Sequence, residues 1–179
     1  MYIARKMRKE NIAEYILYMF QVEDLIRAFN LDMQLISDHL IKRYDLGDQQ
    51  LEEVSAWYSN LAAMMEKEGV RHSGHLQFLV NHINDLNEFH LRILNDDLIA
   101  DYSALYKTNI GLINEFRLKG NASANDVETC INAVYGYLLL KIQKKEITEQ
   151  TTDAIKRFAT LLGRLSGLYK DFESGDLEL

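Results

Sequence analysis

The feature that most limits the fold is that the chain contains no proline in 179 residues. At the usual frequency of about 5%, about nine prolines would be expected. Proline breaks helix interiors and marks loops. Because proline is absent and there are only nine glycines, the sequence favours long helices joined by short connections.

Apolar residues recur at helical spacing along most of the chain. The pattern predicts helices over residues 9–29, 31–44, 48–68 and 74–119, then one that starts with Ser123-Ala-Asn-Asp126, a sequence like a capping box, and one over 149–172. A single helix over 74–119 would be about 68 Å long. That exceeds the span of a compact domain of this size, so we expect a break or kink at Asn95-Asp96-Asp97 and an end at Gly120. The sequence therefore predicts an all-α fold, an up-and-down antiparallel bundle of six to seven helices in one domain, 1–179.

Small residues recur every four positions on the last predicted helix, at Ala159, Gly163 and Gly167. Glycine inside a helix costs about 1 kcal/mol relative to alanine. We therefore expect a compensating close approach to another helix, with Ala133 and Gly136 as the facing positions.

Charge and hydropathy narrow the function classes. A net charge of −7 argues against nucleic acid as a partner, since such binding depends on neutralising phosphates. No segment approaches the roughly 20 apolar residues of a membrane span, and the apolar run after residues 5–9 is too short and too acidic for a signal peptide. Cys130 stands alone, which excludes an intramolecular disulfide and fits a reducing compartment. We expect a cytoplasmic protein.

The basic residues within 5–9 allow three interpretations. They form a solvated helix start, or they pair with the acidic C-terminal segment within or between chains, or they bind nucleic acid. The acidic residues of that segment are Asp171, Glu173, Asp176 and Glu178.

The patterns of common helical enzymes are missing. No histidine follows a glutamate by three positions, none is followed by aspartate, and no His-Glu-x-x-His occurs. Gly69 and Gly74 have phosphate-loop spacing, but His75 occupies the position of the required lysine. The sequence thus indicates no metal site and no cofactor.

Glu23 is the most unusual residue, because it falls in the middle of the apolar stripe of the first helix. A buried carboxylate without a partner is costly, so a partner is predicted. Arg27 lies one turn on, and His82 is the other candidate, with Asp85 placed to hold its ring. This cluster is either a structural network between two helices or a site that binds a small ligand or moves a proton. Otherwise Glu23 reaches solvent or an oligomer interface.

The loop Arg71-His72-Ser73-Gly74-His75 opens a predicted helix, where free N–H groups attract anions. Arg71, His72, Ser73 and His75 are therefore candidates to hold a phosphate or carboxylate. The alternative is an ordinary polar loop with Ser73 as the N-cap. His90, at the centre of its apolar stripe, is predicted to be a core histidine.

The segment RKENIAEYILYMFQVEDLIRAF, residues 8–29, resembles the start of an uncharacterised bacterial family of about this length. That family is classed as a domain of unknown function and is all-helical. The resemblance implies a helical cytosolic bacterial protein, and it brings no activity, cofactor or catalytic residue.

Two functional hypotheses remain. The first is a non-enzymatic protein that acts through protein contacts, with self-association as a homodimer, because catalytic patterns are missing and aromatics such as Tyr18, Phe29 and Tyr44 abound. The alternative is a small-molecule or anion binder, or a weak acid–base enzyme, that uses the Glu23 cluster.

Overall fold

The computed structural model describes residues 2–95, 99–119 and 123–178. Within these ranges the chain forms nine α-helices, one short 3₁₀ helix at Ile41–Arg43 and no strand. The helices are α1 (Tyr2–Glu10), α2 (Ile12–Ala28), α3 (Met33–His39), α4 (Asp48–Lys67), α5 (Gln77–Asn95), α6 (Ala100–Lys107), α7 (Ile110–Lys119), α8 (Asp126–Ile142) and α9 (Glu149–Ser174). The predicted all-α class is confirmed, and the described ranges hold more helices than the six or seven expected.

Short polar side chains at segment joints explain the extra helices. Asn11 is extended, with φ −155°, and its side chain accepts a hydrogen bond from the Glu14 amide, so α2 starts there and α1 is separate. Asn109 separates α6 from α7; its Nδ2 donates to the Leu105 carbonyl at 2.7 Å and its Oδ1 accepts from Arg157 Nε at 3.0 Å. Both joints divide segments that apolar periodicity alone reads as continuous.

The predicted helix ends have mixed outcomes. Gly69 follows Glu68, the C-cap of α4, and has φ +73°, as expected for a glycine that ends a helix. Asn95 is the last residue of α5, whereas Asp96, Asp97 and Gly120 lie outside the described residues.

Four helices form the centre of the fold, because α2, α5, α8 and α9 all contact one another. Every α-helix contributes at least one side chain to a continuous cluster of buried apolar residues, from Ala4 in α1 to Leu168 in α9. Cys130 belongs to this cluster at 1% exposure. None of the helices in the described ranges has the length and apolar content that a membrane span requires.

The expected close crossing at the glycines is wrong. A Cβ atom built at Gly136, Gly163 or Gly167 would meet no atom within 4 Å. Gly163 is exposed on α9, so the stripe faces open space rather than another backbone.

Candidate functional site

The buried carboxylate of Glu23 is held by the chain segment that leads into α5. Glu23 is 0% exposed on α2. Its Oε2 lies 2.6 Å from Nδ1 of His75, and its Oε1 accepts a hydrogen bond from the Leu76 amide at 2.8 Å. Since Leu76 immediately precedes α5, this amide is one that the helix itself leaves free. The partner of Glu23 is therefore His75, not the expected Arg27 or His82.

The imidazole of His75 is fixed in orientation but remains partly exposed to solvent. It stacks on Phe20 with ring centroids 3.5 Å apart and an angle of 12° between the planes. Its side chain keeps 30% of its surface exposed, while that of Glu23 has none. A carboxylate at Nδ1 holds a proton on that nitrogen and leaves Nε2 as the acceptor.

His75 lines a cleft of about 390 Å³ between the α5 approach and helices α7 and α8. Polar side chains in its wall come from Ser123, Thr129, Asn132 and Tyr135. No Asp, Glu, Lys or Arg is among the described residues that line it. The described lining of the cleft is thus polar, with one imidazole and no carboxylate, ammonium or guanidinium group.

Some of these polar groups are already used by the protein. The Tyr135 hydroxyl donates to Asp24, and the Thr129 hydroxyl donates to the Asn125 carbonyl at 2.8 Å. The Asn132 amide donates to Ser123 Oγ at 3.3 Å. Among the described residues, no partner takes the hydroxyl proton of Ser123 or the amide oxygen of Asn132, and both side chains line the cleft with His75.

Arg27 fixes the loop that carries His75. Its guanidinium donates to the Val70 carbonyl through Nε at 3.3 Å and Nη2 at 3.2 Å, and Nη2 also bonds the Gly74 carbonyl. Its Nη1 lies 2.9 Å from Asp24. Arg27 therefore acts on the loop backbone, and the negative charge of Glu23 is left to His75 and Leu76.

The anion-site candidates diverge in space. Arg71 is exposed and pairs with Glu66 at 3.0 Å, and His72 and Ser73 are exposed. His75 alone turns inward. Ser73 does not act as the N-cap, since α5 begins at Gln77. Anion binding by this loop stays a prediction.

His82 and Asp85 lie apart from the Glu23 pair, since no contact of the described residues joins either to Glu23. The His82 ring packs edge-on against Tyr15, with centroids 5.9 Å apart, and Phe78, at 6.3 Å. Burial lowers the pKa of His82, the charge of Arg8 lowers it further, and Asp85 acts in the opposite direction. The expected four-residue cluster is thus split into two places.

His90 is a core residue, as predicted, with 2% exposure. Its Nδ1 lies 2.6 Å from the Tyr102 hydroxyl, and Nε2 has no hydrogen-bond partner among the described residues. Burial lowers the pKa of His90 to about 4. The adjoining void of about 10 Å³ has room for at most a water molecule, so His90 is not a ligand site.

One protein family matches nearly the whole chain. A family model described as a domain of unknown function, DUF4924, matches residues 1–176. The chain belongs to the DUF4924 family. No curated protein and no solved structure matches it. The expected membership of an uncharacterised family is confirmed, and bacterial origin stays a prediction.

In this DUF4924 chain the sequence reasoning found Glu23 and missed its partner. The sequence indicated His75 only as a candidate to bind an anion. It gave no indication of a role for Phe20, Asp24 or Tyr135. One signal was present: His75 belongs to the loop that opens a predicted helix, and a carboxylate is favourable at a helix start. Among the described residues of the DUF4924 chain, no three His, Cys, Asp or Glu side chains are grouped to hold a metal ion.

Proposed function

We propose that this protein binds a small, uncharged polar molecule in the cleft beside His75 and exchanges a proton with it. The observation that carries the proposal is the hydrogen bond between the fully buried Glu23 and a partly exposed His75 that lines the cleft. A buried carboxylate against one ring nitrogen is the arrangement that orients an imidazole as a general base.

The chemistry follows from the pair. Nε2 of His75 accepts a proton from an O–H or N–H group of the bound molecule, and the electron pair stays on the molecule. The imidazolium that forms is stabilised by Glu23 on the opposite side of the ring. Phe20 and the loop held by Arg27 keep the ring in place, so little reorganisation is needed.

A purely structural role accounts for less of the geometry. Capping the start of α5 requires only the bond from Leu76 to Glu23. It does not require a second bond to an imidazole that is stacked, partly exposed and beside a polar hollow. Those added features support a ligand site.

An activated ester, p-nitrophenyl acetate, tests the reactivity of His75 without a known ligand. Nε2 attacks the ester carbonyl, p-nitrophenolate leaves, and water hydrolyses the acyl-imidazole. We expect His75→Gln to lower the protein-dependent rate by at least about tenfold, because the oriented imidazole is lost. Glu23→Gln should also lower the protein-dependent rate.

His72→Gln is the matched control, because His72 lies on the same loop, is exposed and has no carboxylate partner among the described contacts. Its rate should equal that of the wild type. Equal rates for wild type and His75→Gln would remove the proposal.

Self-association is a second proposal, supported by two large apolar side chains that face solvent: Leu118 is 88% exposed and Ile142 is 69% exposed. Light scattering should then give about twice the chain mass of 20.8 kDa. A strict monomer at high concentration would count against it. A single domain over 1–179 and a cytoplasmic location also stay predictions.

A further inference from the structure

A second hollow, of about 810 Å³, lies between α1, α2 and α4 and shares no residue with the His75 cleft. Four basic side chains of α1 line it: Arg5, Lys6, Arg8 and Lys9. Three aromatic side chains line it as well: Tyr2, Tyr15 and Trp57. Its volume falls in the range of small-molecule sites, about 300–1,000 Å³.

The basic residues are only partly neutralised. Arg8 makes two hydrogen bonds with Glu173, at 2.8 and 2.9 Å, so one pairing with the acidic C-terminal segment does occur within the chain. Lys6 reaches Glu10 at 4.0 Å. Arg5 and Lys9 are exposed and have no carboxylate partner among the described residues. Two positive charges therefore remain at this hollow, on a chain whose net charge is −7.

Two of the aromatic side chains that line the hollow are held by contact with a neighbouring ring. Trp57 is half-buried on α4 and is braced edge-on by Tyr58, with ring centroids 5.0 Å apart. Tyr15 is half-buried on α2 and is braced by His82. Ala4, with 5% exposure, also lines the hollow. Aromatic faces braced in this way suit a planar ring.

We propose that this hollow binds a small molecule in which a planar aromatic ring carries a phosphate group. The ring packs against Trp57 and Tyr15, and the phosphate is bound by Arg5 and Lys9. Arg8, already paired with Glu173, positions α1 against α9 and is not required to bind the phosphate.

Trp57 is the only tryptophan in the chain, so its fluorescence reports directly on the hollow. The full-length protein is titrated with three probes: adenosine monophosphate, adenosine and inorganic phosphate. Adenosine monophosphate should change the Trp57 emission at concentrations at least about tenfold lower than either fragment, because it alone has both ring and charge. Its affinity should fall as salt is added. Equal affinity for adenosine and its monophosphate would overturn the proposal.

The double variant Arg5→Gln, Lys9→Gln should weaken the monophosphate by at least about tenfold and leave adenosine unchanged. The matched control is Lys144→Gln, Lys145→Gln, which removes two exposed charges elsewhere and should bind like the wild type. A control variant that loses as much affinity as the first would show a nonspecific charge effect and overturn the proposal.

A second copy of the chain is the competing occupant. If light scattering shows a dimer that the Arg5→Gln, Lys9→Gln variant converts to monomer, the hollow is a subunit interface. That result would also overturn the proposal. Neither outcome bears on the His75 cleft.

Discussion

Acidification should destabilise this fold through His90. Tyr102 is 0% exposed and burial raises the pKa of its hydroxyl, so that group stays a protonated, uncharged partner 2.6 Å from Nδ1 of His90. Burial of the imidazole favours its neutral form. A second ring proton would place a charge in the core.

The direction and magnitude of this change in unfolding free energy follow from the pKa of His90 in the folded and in the unfolded chain. The pKa of His90 falls from 6.5 to about 4 on folding, so between these values the unfolded chain holds a proton that the folded chain lacks. The stabilisation from the neutral imidazole is therefore complete above pH 6.5 and declines toward pH 4. At about 1.36 kcal/mol per pKa unit, the loss by pH 4 is about 3 kcal/mol.

The assay is urea unfolding at a series of pH values from 7.5 to 4, on wild type and on His90→Phe, Tyr102→Phe. Changing both residues avoids an orphaned hydroxyl. Because carboxylates also titrate in this range, the quantity of interest is the difference in unfolding free energy between the two proteins. That difference should shift by about 3 kcal/mol across the series. His72→Gln, which removes an exposed histidine, should show the same pH dependence of unfolding free energy as the wild type. Parallel curves for wild type and the double variant would refute the reasoning, as would an NMR titration of His90 with a midpoint near 6.5.

Three further results are expected. Gly163→Ala should raise the free energy of unfolding by up to about 1 kcal/mol, because a Cβ there meets open space; a loss in urea unfolding would mean a hidden neighbour. Arg27→Lys should speed amide exchange in residues 70–75 by about tenfold or more, because an ammonium lacks the guanidinium fork that bonds both loop carbonyls and Asp24 at once, and each lost bond to a charged group costs about 1.5–3 kcal/mol; unchanged exchange would show that the loop holds its conformation without this fork. Arg8→Gln should lower stability by no more than about 1 kcal/mol at low salt, and a larger loss in urea unfolding would contradict a surface ion pair.

Local sequence signals were sufficient for the fold class and insufficient for helix boundaries. Apolar periodicity and the absence of proline are properties of the chain itself, and they predicted an all-α protein. Asn11 and Asn109 interrupt helices through bonds that a periodicity scan does not register. The Asn109 break also depends on Arg157, which only tertiary packing brings near.

The predicted site differs from the observed one for the same reason: local sequence signals do not register tertiary contacts. That Glu23 needs a partner follows from its place on one helix, because a buried carboxylate must be compensated. Which partner it takes depends on how α2 packs on the approach to α5, and the periodicity of a single helix does not contain that information. Arg27 was a sound local candidate, but the carbonyls of Val70 and Gly74 offer its guanidinium several bonds at once.

The start of α5 explains why Glu23 and His75 are coupled rather than merely adjacent. Leu76 offers no side-chain cap, and carboxylates from α2 and from the residue after α4 accept the first free amides. Glu23 accepts from the Leu76 amide, and Glu68 accepts from the Gln77 amide at 2.7 Å. Negative charge is favourable at a helix N-terminus, so the carboxylate that orients His75 is stabilised by the helix it caps.

One variant of this pair should therefore lose reactivity alone, and the other should lose both reactivity and stability. His75→Gln leaves both amides capped, so it should lose ester reactivity with little loss of stability. Glu23→Gln should lose both, with about 1–3 kcal/mol of stability, because it weakens the cap as well as the imidazole bond. If the two variants lose equal stability and neither loses reactivity, the pair is a structural tie between α2 and α5.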